Sequence, residues 1–231
     1  MKRFVHGKCI VAVLVLAVAT SSWLIGAERA SAALVPVSLR CEYASDPLGV
    51  DSPNPRLSWQ LESASRAQAQ TAYEILAAAS TKWLADGKGD LWDSGKVFTN
   101  QSIGVPYQGR PLHSEQPAFW KVRVWDNTGR PSDWSQPAKW EMGLLSPQAW
   151  QAQWLNDGKA NPDQDADFYH EDPAPLLRKE FTVAKPVVRA RLHICGLGYY
   201  EASLNGQRVG DRVLDPGWTR YSEGVLYSPT T

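Results

Sequence analysis

The chain has 231 residues, 43% hydrophobic and 21% charged, a composition of globular rather than disordered proteins. Lys and Arg balance Asp and Glu at 24 each, so no basic field is present to hold nucleic acid or an anionic membrane. The length suits one large domain or two ordinary ones.

The first stretch reads as an address. Lys2, Arg3 and Lys8 precede an apolar run from Cys9 to Ala19, and Ala30-Ser31-Ala32 is a small-x-small cleavage site, with Ala17-Val18-Ala19 as a second. This pattern predicts a signal peptide over 1–32 and a secreted or periplasmic protein. The run is shorter than the roughly 20 residues of a membrane span, so no membrane association is expected beyond the signal. Removal of the signal leaves Cys41 and Cys195, which fall in different expected domains and read as two buried thiols.

Residues 33–145 are expected to form a first domain of short strands. Arg56–Leu61 alternates with Leu57, Trp59 and Leu61 on one face, and Ala72–Ala77 continues with Tyr73 and Ile75. A helical turn is expected only at Thr81–Leu84. Leu91-Trp92, the turn Asp93-Ser94-Gly95 and a strand over Gln101–Val105 follow. Ala118–Asp126 points Trp120, Val122 and Val124 inward and Lys121 and Arg123 outward; Asn127-Thr128-Gly129 then turns the chain toward Lys139–Met142. Period-2 alternation with regular turns is the signature of an antiparallel sandwich. The 11 Trp suit such a core, although in an exported protein they also suit sugar contact.

Residues 146–175 read as a junction with Trp150 and Trp154 and a polar loop. Asp163, Asp165 and Asp167 have the spacing of a calcium-loop start, but Phe168 stands where the sharp turn needs Gly and Ala174 where the loop needs Glu, so no metal is expected. Residues 176–231 return to strands: Leu177–Val183, Ala190–Cys195, Tyr199–Leu204, Gln207–Val209 and Gly224–Tyr227. Asn205-Gly206 predicts a two-residue hairpin turn. Only three or four strands follow Leu177, where a jelly-roll-like sandwich takes about eight. A truncated and poorly stable second sandwich is therefore expected.

Near those turns lie Tyr199, Tyr200 and Trp218, with Asp211 and Asp215 as acceptors, a set that suits a sugar platform. Strand and turn geometry offers another reading: one Tyr of the pair faces inward, Asp215-Pro216-Gly217 is a turn, and Trp218 closes the core. His113 and His193 lack any neighbouring nucleophile pattern. No nucleophile elbow or dinucleotide fingerprint is present, since Gly196-Leu197-Gly198 lacks the third Gly.

Two sets of strings carry a family resemblance. Leu57-Ser58-Trp59, Tyr73-Glu74-Ile75 and Trp120–Val124 with Asn127-Thr128-Gly129 and Trp134-Ser135 resemble a fibronectin type III module. Gly196-Leu197-Gly198-Tyr199-Tyr200-Glu201, Leu204-Asn205-Gly206, Val209-Gly210-Asp211 and Leu214–Thr219 resemble the N-terminal β-sandwich of bacterial α-L-rhamnosidases, and Cys41–Tyr43, Pro47–Asp51 and Pro55–Trp59 resemble the module preceding it. The resemblance implies an all-β fold: a fibronectin III or immunoglobulin-like sandwich followed by a truncated jelly-roll-like sandwich. It also implies inverting hydrolysis of terminal α-L-rhamnose, with both carboxylates in a later (α/α)₆ barrel. No catalytic residue, metal ligand or cofactor is therefore expected here. The implied partners are the remainder of the rhamnosidase polypeptide and a rhamnose-containing glycan. The other reading is a free-standing exported carbohydrate-binding or surface interaction module.

Overall fold

The computed structural model describes residues 34–160, 162–169 and 173–230; the expected signal peptide lies outside them. The first part is a sandwich of two antiparallel sheets. Strands β1 (Val35–Cys41), β2 (Arg56–Glu62) and β5 (Val105–Pro106) form one sheet in the order β1-β2-β5. The facing sheet runs β4-β3-β6-β7, from β3 (Ala72–Ala78), β4 (Trp92–Asp93), β6 (Pro117–Trp125) and β7 (Ala138–Glu141). The register of β3 on β6 pairs Tyr73 with Val124, Ile75 with Val122 and Ala77 with Trp120. It stacks the expected inward residues of both strands on one face. With Leu57 and Trp59 of β2, Val105 and Trp140, they close a single core.

Three indoles fill its middle, and their N–H groups fare differently. Trp59 Nε1 donates to Gln70 Oε1 at 3.0 Å, and buried Gln70 in turn donates to the carbonyls of Thr99 and Gln101. Trp140 Nε1 donates to Met142 Sδ at 3.3 Å. Trp120 Nε1 is buried with no partner. Leaving such a donor unsatisfied costs about 1–3 kcal/mol, which the burial of its large ring offsets.

The structure departs from strict alternation in β3. Leu76 and Ala78, which alternation sends to solvent, are also buried. The short helix α1 (Thr81–Ala85), N-capped by Ser80, lays Leu84 across that outer face together with Phe119 and Trp134. Lys121 and Arg123 do face away from the core, yet they stack rather than project. Arg123 lies 5.1 Å from the Trp125 ring and 4.8 Å from that of Trp134, and Lys121 lies 4.9 Å from the Trp134 ring. Such stacking adds to the area that long cationic stems cover.

Other expected strands are corrected. Gln101–Val105 becomes a strand only from Val105 onward, where β5 begins; before it the Trp59 N–H donates to the Ser102 carbonyl, and Gly104 has a positive φ of 67°. The edge strand β1 is not evident from alternation, because Ser38 has a φ of 52° and the register with β2 shifts between Val37 and Arg40. A bulge breaks the period-2 signal.

The second part contains β8 (Leu192–Ile194), β9 (Ser203–Leu204), β10 (Gln207–Arg208) and β11 (Ser228–Thr230). These form two ribbons, β9–β10 and β8–β11. The expected hairpin at Asn205-Gly206 is present, with φ of 50° and 79°. Leu177–Val183 pairs with no strand and is exposed along its length, only the last two residues of Tyr199–Leu204 are laddered, and the final strand starts at Ser228 rather than Gly224. An extended run becomes a strand only where a neighbour takes its N–H and C=O groups. The all-β class holds, with α1 and two 3₁₀ turns as the helical elements among the described residues.

Candidate functional site

The five residues singled out for sugar contact separate into two groups. Tyr200, Asp211 and Asp215 line a cavity of about 60 Å³ with Arg208, Arg212 and Ser228. Tyr200 holds it shut: its backbone N–H donates to the Asp215 carbonyl at 3.1 Å and its hydroxyl donates to Asp215 Oδ2 at 3.1 Å. Burial, followed by the Asp215 charge, pushes the Tyr200 phenol up against the opposing pull of Ser228. Ligand pockets run to about 300–1,000 Å³, so this space suits water rather than a sugar ring.

Tyr199 and Trp218 form the second group. Their ring centroids are 5.8 Å apart at 41°, with Tyr199 53% and Trp218 72% exposed. Alternation sends Tyr200 inward and Tyr199 outward, as strand geometry requires. Trp218 closes no core; it stands at the surface beside Tyr199.

A different set of side chains joins the two parts of the chain, and the sequence reading did not find it. Glu141 ends β7, is 6% exposed, and is anchored by its backbone to Pro47 and Val50. Arg191, just before β8, donates to it through both arms of its guanidinium: Nε to Oε1 at 2.6 Å and Nη2 to Oε2 at 2.7 Å. Arg189 Nη1 adds a third bond at 3.2 Å. Burial pushes the Glu141 carboxyl up, but the Arg191 hydrogen bonds and the charges of Arg191, Arg189 and Lys139 outweigh it and hold the group below the ordinary glutamate value.

Three further contacts flank this pair. His193 Nε2 lies 2.9 Å from Glu115 Oε1. The Tyr227 hydroxyl accepts from the Leu144 N–H at 2.7 Å, and a Cβ at Gly143 would sit 2.4 Å from that oxygen. Gly49 is constrained twice, by a φ of 73° and by Pro229, whose Cγ would lie 2.5 Å from an added Cβ. The hydrogen-bonded partners are 48 to 83 residues apart in sequence, and Gly49 and Pro229 are farther apart still, so no local spacing signals them.

Beside the junction an apolar trough of about 490 Å³ lies between Leu144, Leu145, Pro147, Trp150, Trp154 and Tyr227. A larger trough of mixed polar and apolar lining, about 1060 Å³, runs between the unpaired Leu177–Val183 segment and the β9–β10 hairpin. Cys41 and Cys195 are both free thiols, but only Cys41 is buried as expected, and burial pushes its thiol up to about 12; Cys195 is partly exposed. Asp163, Asp165 and Asp167 lie on an exposed turn. Among the described residues no helix is long and apolar enough to cross a membrane.

The fold and the junction define a class: an immunoglobulin-type sandwich that carries a second β domain on its end. Residues 36–146 match the family described as the Rha78A-like, N-terminal immunoglobulin domain, and residues 185–230 match the α-L-rhamnosidase N-terminal domain. An α-L-rhamnosidase of Formosa agariphila is 36% identical over 197 residues, covering 79% of this chain and 21% of its own. The solved α-L-rhamnosidase of Dictyoglumus thermophilum superposes with a TM-score of 0.75 at 37% identity, over 85% of this chain and 23% of that one. The Streptomyces avermitilis α-L-rhamnosidase, solved in complex with L-rhamnose, superposes with a TM-score of 0.52 at 44% identity, over 54% of this chain and 12% of that one. The chain carries two domains of the α-L-rhamnosidase family, its N-terminal immunoglobulin domain and its N-terminal domain. It spans about one fifth of the length of the curated relatives it matches.

Proposed function

We propose that the chain is the exported front of an α-L-rhamnosidase that removes terminal α-L-rhamnose from glycosides or polysaccharides, with the chemistry supplied by the remainder of the polypeptide. The observation that carries this reading is the order of the two matched domains on one chain, 36–146 then 185–230, both of them N-terminal domains of that family. The proposed division is a signal peptide over 1–32, a first sandwich over 33–145, a junction over 146–175 and a second sandwich segment from 176. Export rests on the charged, apolar and small-residue pattern of the first 32 residues.

A second reading is favoured by the exposed Tyr199–Trp218 pair. Two aromatic faces at the surface suit the apolar face of a rhamnose ring, as binding sites combine apolar walls with few polar groups. One experiment tests both. The 231-residue chain is assayed on a chromogenic aryl α-L-rhamnoside and passed over an immobilised rhamnose-containing glycan, beside a Trp218→Ala variant. Absence of turnover is expected, and turnover would overturn the first reading. Retention lost in the variant supports the second reading; passage of the unaltered chain without retention removes it.

A further inference from the structure

We propose that Glu141 is a clasp that seats the second domain in one fixed orientation on the end of the first, so that the first sandwich is a rigid base and not a tethered spacer. A spacer on a flexible connection needs no specific contact between its neighbours. Here a buried carboxylate at the end of a core strand is met by a planar guanidinium through two parallel hydrogen bonds, a fork that sets direction as well as distance. The clasp is reached only when the chain returns after Pro147 and the polar loop, at Arg189 and Arg191.

The flanking contacts converge on the same ribbon. Arg191 precedes β8 and His193 lies within it, Tyr227 precedes β11 and Pro229 lies within it. Their partners, Glu115, Glu141, Leu144 and Gly49, come from three separate segments of the first sandwich. Four points of attachment on one small ribbon define a seat. The shape of that seat depends on Gly49 and Gly143, where an added Cβ would collide with Pro229 and Tyr227. The titratable and charged groups facing the pair are Arg189, Arg191, Lys139, Glu115 and His193, so the carboxylate is surrounded mainly by cations.

The chain carries its own reporters, one thiol in each domain. Cys41 is buried in the first sandwich, and Cys195 follows β8 directly, its Sγ donating to the Leu226 carbonyl. Alkylation of the full chain by iodoacetamide, mapped by peptide mass spectrometry, is compared among the unaltered chain, Glu141→Gln and Arg191→Lys. Gln keeps the volume and Lys keeps the charge, so each variant removes the charged fork with little change in packing. The expected result is a rise of about threefold in the Cys195 rate with Cys41 unchanged, since Cys195 is already partly exposed beside the seated ribbon and release of the clasp uncovers it further, whereas Cys41 stays buried. Unchanged Cys195 rates in both variants would overturn the proposal. Equal acceleration at both thiols would overturn it as well, because Glu141 would then hold the first sandwich together instead of joining two domains.

Discussion

The two parts of the chain use the same local alphabet and reach different ends. Both alternate apolar and polar residues, and both punctuate with Asn-Gly, Asp-Ser-Gly or Asn-Thr-Gly turns. In the first part every alternating strand meets a facing sheet, and among the described residues the buried hydrophobic residues of the core lie between Leu34 and Met142. In the second part Leu177, Phe181, Val187, Val188 and Leu204 stand exposed, and the ribbons are two or three residues long. Alternation specifies which side of a strand is apolar. A second layer at about 10 Å is what turns that side into a core.

The largest expected effect tests this contrast directly. Trp120 is fully buried, so Trp120→Ala should lower the unfolding free energy by about 3–5 kcal/mol. Val188 is 100% exposed, so Val188→Ala should change it by less than about 0.5 kcal/mol. Denaturant unfolding followed by Trp fluorescence gives both numbers, and similar losses would erase the distinction.

Limited proteolysis should draw the same line along the chain. Early cuts are expected between 146 and 190, where few backbone groups are paired, leaving a resistant piece that ends near Leu145. Equal resistance on both sides would mean that the junction contacts protect the second part as well as its own ladder would.

The smallest expected effect concerns acid. In the β6–β7 turn Asp126 accepts from the Thr128 hydroxyl at 2.6 Å and from the backbone N–H groups of Thr128 and Arg130. The Thr128 hydrogen bond first, then those N–H groups and the Arg130 charge, hold its carboxyl at about 2 against the opposing effect of burial. A depressed carboxyl stabilises the fold above the unfolded value near ~3.9, and that contribution is lost as pH falls through about 2. The first sandwich should therefore weaken between about pH 4 and pH 2. Asp126→Asn should be less stable at neutral pH and show a flatter acid limb in urea titrations at stepped pH. Glu141 is held low in the same sense, so acid should also release the second part; amide hydrogen-exchange protection in β8 and β11 that acid leaves unchanged would contradict this.

Much of the first sandwich is legible in the sequence. Alternation places Leu57, Trp59, Ile75, Trp120, Val122 and Val124 in one core, and Asn205-Gly206 places a hairpin, because strand periodicity and positive φ are properties of adjacent residues. The strings around Gly196–Thr219 also point to the family that the matched domains bear out. Tertiary structure alone decides the rest. It covers the outer face of β3 with Leu84, sends Leu177–Val183 unpaired, and divides the candidate sugar residues between a small closed cavity and an exposed aromatic pair. Above all it brings Arg191 to Glu141 across 50 residues. A strand's two faces are written in its own residues, but a buried ion pair depends on which distant segment arrives, and local spacing contains no trace of that.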